Sequence, residues 1–66
     1  MTTTAARNEY RAHLTASGLA PAAFRSRCES LIHELRDGEG GGEPTPAEWV
    51  RAAAEIAWVV QNRKAA

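Results

Sequence analysis

Pro21-Ala22-Ala23-Phe24-Arg25-Ser26-Arg27-Cys28-Glu29-Ser30-Leu31-Ile32-His33-Glu34-Leu35-Arg36 decides the fold. Phe24, Cys28, Leu31 and Leu35 recur at i, i+4, i+7 and i+11, with Ile32 on the flank. That spacing lays one apolar stripe along a helix, and no phase break interrupts it. Arg25, Glu29 and Arg36 lie to one side, Arg27 and Glu34 to the other. Pro21 suits the first helical position, where an amide has no partner to lose. Asp37-Gly38 ends the pattern, so a single unbroken helix is expected over residues 21–37.

Upstream, Ala6, Tyr10, His13, Leu14 and Ser17 share one face of a helix expected over residues 4–17. Thr4 is placed to cap it, and Gly18 stands where a left-handed residue closes a helix. Downstream, Gly38-Glu39-Gly40-Gly41-Gly42 is a connector, and residues 38–45 are expected to form a flexible linker inside a single domain spanning 1–66. Thr45, Pro46 and Glu48 then have the form of a capping box opening a third helix over residues 46–62. On it Trp49, Ala53, Ile56, Ala57 and Val60 share one face; Glu48, Arg51, Glu55 and Asn62 share the other. The expected fold is all-α, a three-helix bundle. Its core should hold Leu14, Phe24, Leu31, Leu35, Trp49 and Ile56.

Composition narrows the function. The chain has 66 residues, with eight basic and eight acidic side chains, so its formal charge is zero. Such a balance supplies no strong field for nucleic acid. The longest purely apolar run, residues 56–60, is far shorter than the roughly 20 residues that span a bilayer. The start of the chain lacks the cationic and apolar blocks of a secretory signal. A cytoplasmic location is the expectation, with no membrane partner. A lone cysteine excludes an internal disulfide and any multi-cysteine zinc site.

Catalytic constellations are sparse, and no enzyme activity or cofactor is expected. His13 with Glu9 and His33 with Glu29 each stand one helical turn apart, but a stable metal site needs three or four ligands. Cys28 lies inside the apolar stripe, where a free thiol packs as a small hydrophobe. The glycine run is followed by no Gly-Lys-Ser/Thr, so it is not a phosphate loop.

Two binding readings remain. Trp58 and Val59 extend the polar side of the third helix with apolar surface, and tryptophan is frequent at interface hot spots. A chain this short, with neither disulfide nor metal, commonly borrows stability from a partner. The leading expectation is therefore a small non-enzymatic helical regulator that binds another protein and forms a homodimer. Its interface would be drawn from Trp58, Val59, Trp49, Arg51 and Glu55. In size and charge it resembles inhibitors and accessory regulators encoded by phages and mobile elements.

The alternative rests on a resemblance. Tyr10-Arg11-Ala12-His13-Leu14-Thr15-Ala16-Ser17-Gly18-Leu19-Ala20-Pro21-Ala22-Ala23-Phe24 resembles the opening of small Cro/repressor-type helix-turn-helix regulators. Ser30-Leu31-Ile32-His33-Glu34-Leu35-Arg36-Asp37-Gly38 stands where those proteins place the recognition helix, and Pro44-Thr45-Pro46 is similar to their entry to a closing helix. The resemblance implies a dimeric DNA-binding repressor, contacting DNA through Arg25, Arg27, Ser30, His33 and Arg36. One element of the pattern is missing: Arg25-Ser26-Arg27-Cys28-Glu29 fills the place of the glycine-centred turn.

Overall fold

The computed structural model describes residues 3–36 and 42–65, the side chains of 64 and 65 excepted. Three helices follow one another: α1 (Thr3–Ser17), α2 (Pro21–Arg36) and α3 (Pro46–Ala65). The architecture is an all-α three-helix bundle, as the periodicity requires. Residues 25–29 lie inside α2, so Ser30 to Arg36 form its second half and not a separate helix. Asp37 and most of the glycine connector fall outside the described residues.

The boundaries follow from local chemistry. Gly18 takes φ +71°, a left-handed conformation that only glycine adopts without strain, and its N–H donates to the Thr15 carbonyl at 3.3 Å. Ser17 then shapes the corner. Its hydroxyl donates to the Leu14 carbonyl at 2.7 Å and accepts the Leu19 N–H at 3.1 Å. Ala20 accepts the Phe24 N–H at 2.9 Å, starting α2 immediately after the turn. At α3 the capping box forms on both sides. The Glu48 N–H donates to Thr45 Oγ1 at 3.2 Å, and the Thr45 N–H donates to Glu48 Oε1 at 3.0 Å. Helix α1 begins one residue earlier than expected, so Thr4 lies in the first turn and does not cap it.

Helix α3 is the centre of the bundle. It runs parallel to α1: Thr3 and Pro46 line one cleft at one end, and Gln61 Nε2 donates to the Ala16 carbonyl at 3.4 Å at the other. Helix α2 lies across the N-terminal half of α3, with Arg25 reaching Trp49 and Arg36 reaching Glu48. The crossing is closed by Phe24, Cys28 and Ile32 against Ala52 and Ala53, all buried. Two small residues on α3 let the backbones approach there.

This crossing corrects the expected core. Phe24, Cys28 and Ile32 form an i, i+4, i+8 ridge, the row of side chains that inclined helices interdigitate. Ile32 is therefore buried at the centre of the contact, not at its flank. Leu35, expected inside, is 53% exposed because the last turn of α2 has passed beyond the alanine pair. Leu14, Leu31, Trp49 and Ile56 pack against the core from its edges, with Tyr10 and Leu19.

Candidate functional site

The outer face of α3 carries the first candidate surface. Trp58 follows Trp49 by nine residues, which is about 180° around a helix of 3.6 residues per turn. Trp49 turns inward, so Trp58 points directly away from the core and is 61% exposed. Arg51 and Glu55, also exposed, precede it on the same face, and Val59 is half-buried at the edge. Asn62 Nδ2 donates to the Trp58 carbonyl at 2.8 Å, one turn further on. Leu35 stands beside Arg51 at the rim of a shallow cleft that also involves Ile32, Arg36 and Glu48. The two most exposed large apolar side chains, Leu35 and Trp58, are thus on the side of α3 that α1 does not cover. Trp49, grouped with Trp58 from the sequence, belongs to a different surface.

That second surface is a cleft of about 350 Å³ where the first turns of α1 and α3 meet α2. Tyr10 forms its aromatic wall with Trp49, the rings perpendicular and 6.1 Å apart, and packs edge-on against Phe24 at 5.4 Å. Burial raises the Tyr10 phenol above its ordinary value, with the Cys28 thiol adding to the effect and Arg25 opposing it. The Arg25 guanidinium lies over the Trp49 ring, 5.5 Å from its centroid, and Arg7 completes the rim. The sequence carried the components of this cleft on three separate segments, and only the parallel placement of α1 and α3 unites them.

Charges on α2 are divided by the fold. Arg36 Nε and Nη2 each donate to Glu48 at 2.7 Å, a bidentate ion pair, and Nη1 donates to the Gly42 carbonyl at 3.1 Å. The Arg36 hydrogen bonds, with help from the Thr45 amide, hold the Glu48 carboxyl down to about 2. Arg25 is engaged with Trp49. Of the five residues proposed for DNA contact, Arg27, Ser30 and His33 remain exposed and uncommitted. Neither histidine pairs with the glutamate one turn before it; the ion pair among the described residues is that of Arg36 with Glu48.

Among the described residues no group of three or more His, Cys, Asp or Glu side chains converges on a point. Cys28 is fully buried, and desolvation pushes its thiol up to about 11, away from the thiolate a nucleophile needs. No helix is long and apolar enough to cross a membrane among the described residues. No protein-family model matches the chain, and no curated protein or solved structure matches it.

Proposed function

We propose that the chain is a small non-enzymatic helical regulator that works by occupying a surface of another protein, and that it pairs with a second copy of itself through the outer face of α3. The observation that carries this reading is Trp58. It is 61% exposed and opposite the core, so intramolecular packing does not account for it. Burying a tryptophan removes roughly 150–250 Å² from water. A two-fold contact buries two such side chains at once, with Arg51 and Glu55 of each copy at the rim. Sedimentation equilibrium tests it: wild type should be dimeric at micromolar concentration and Trp58→Glu monomeric. A wild-type monomer throughout that range removes the homodimer and leaves Trp58 as the contact for a different protein.

A second reading, DNA binding by a helix-turn-helix repressor, is supported by the exposed row of Arg27, Ser30 and His33 on α2. The ion pair of Arg36 with Glu48, and Glu29 and Glu34 on the same helix, leave it little free charge for phosphate. A sequence-specific gel shift that persists at physiological salt and is lost in Arg27→Ala would make it the better reading.

A further inference from the structure

We infer that the cleft between the first turns of α1 and α3 is a recognition site for an acidic segment of a partner protein, taking a carboxylate set beside an apolar or aromatic side chain. Arg7 and Arg25 stand at its rim, and among the described residues neither has an acidic partner. The nearest carboxylate on α3, Glu48, spends both oxygens on Arg36 and one of them also on the Thr45 amide. A chain of zero net charge thus places on one concave surface two arginines that have no ion-pair partner among the described residues.

The way Arg25 is held leaves it able to bind. Its guanidinium carbon lies over the Trp49 ring, 5.5 Å from the centroid, and the group makes no hydrogen bond to the described residues. Its five N–H donors thus have no acceptor among the described residues and can serve a bidentate carboxylate. The Tyr10 hydroxyl, with no hydrogen bond to the described residues, adds a further donor. Between these polar groups the walls are apolar: Trp49, the Tyr10 ring and Pro46. A volume of about 350 Å³ is at the small end of ligand pockets, which run from about 300 to 1,000 Å³, and suits one or two side chains. A nucleic-acid backbone fits less well. It asks for a track of cations, whereas Glu29 follows Arg25 by one turn on the same side of α2. This site is on the opposite side of α3 from Trp58 and stands or falls independently of the dimer.

Trp58→Phe leaves Trp49 as the only tryptophan, so its emission reports on the cleft alone. Titrating this variant with the capped peptide acetyl-Glu-Glu-Phe-Glu-amide should give a saturable change in emission. The glutamine counterpart of the peptide should bind at least about tenfold more weakly, the loss expected for a charge-assisted bidentate hydrogen bond. Arg7→Glu in the same background should weaken binding similarly, with an unchanged far-UV circular dichroism spectrum showing that the fold persists. Equal response to the glutamine peptide, a tighter response to oligothymidylate, or no saturation at millimolar peptide would each overturn the inference.

Discussion

Ser17 and Cys28 are the clearest cases of residues whose chemistry is set by burial. Ser17 is 1% exposed, and its hydroxyl bridges the end of α1 to the start of the corner. Ser17→Ala leaves the Leu19 amide without that acceptor, and an unsatisfied buried donor costs about 1–3 kcal/mol. Chemical denaturation should show the loss, with Ser17→Thr less affected because it keeps the oxygen. Spacing placed Ser17 on the inward face of α1, but its bond across the corner depends on Gly18 turning the chain back, which periodicity does not encode. For Cys28 the folded thiol stands at about 11 against an ordinary value of 9.0. A raised value means that burial stabilises the neutral form. That contribution is complete below the ordinary value and disappears as pH rises through about 11. Native protein at neutral pH should therefore react with a thiol reagent only at the rate at which it opens, and at full speed in denaturant. Rapid labelling without denaturant would contradict the buried placement.

At the scale of the element, the start of α3 joins a local device to a long-range one. Thr45 and Glu48 cap the helix reciprocally, and Glu48 also receives Arg36 from the end of α2. Thr45→Ala should cost about 1 kcal/mol, the usual loss for a removed N-cap, read from a thermal or denaturant midpoint. Glu48→Gln keeps the form of the box but removes the charge. The folded carboxyl is lowered from 4.5 to about 2, so the stability it adds is present above its ordinary value and is lost as pH falls towards 2. The difference in midpoint between wild type and Glu48→Gln should be constant from neutral pH to about 5 and vanish near 2. The box was legible because its positions lie within four consecutive residues, Thr45 to Glu48. The ion pair of Arg36 with Glu48 was not, because it depends on where α2 crosses α3. The same crossing explains Leu35 and Ile32: periodicity defines an apolar arc, but the neighbour's inclination chooses which ridge of that arc is buried. The role of Ala52 is hidden in the sequence for a related reason. An alanine adds little to an apolar stripe, yet beside Ala53 it sets how closely α2 approaches.

For the whole molecule, the decisive asymmetry is that α3 has company on only part of its circumference. Helix α1 runs along it, α2 covers its first half, and the face carrying Arg51, Glu55 and Trp58 is left to solvent. The surplus of apolar surface on this helix was legible from residue order alone. The separation of Trp49 from Trp58 onto opposite sides was partly so, since nine residues make two and a half turns. The cleft of Tyr10, Arg25 and Trp49 was illegible, because no local pattern records that α1 and α3 run parallel. The proposed dimer, built on the exposed Trp58, has a thermodynamic signature. Such association stabilises only the folded form, so on this proposal the thermal midpoint of wild type should rise with protein concentration. In the proposed dimer Trp58→Glu would remove apolar surface from the contact and bring a carboxylate from each copy into it. Its midpoint should be independent of concentration and should match the value that wild type approaches on dilution. The match is the informative part, since Trp58 faces away from Phe24, Cys28, Ile32, Ala52 and Ala53 and its loss leaves that core intact. A concentration-independent midpoint in wild type would end the case for a dimer. A concentration-independent Trp58→Glu that melts well below the dilute wild type would instead show that Trp58 supports the single subunit.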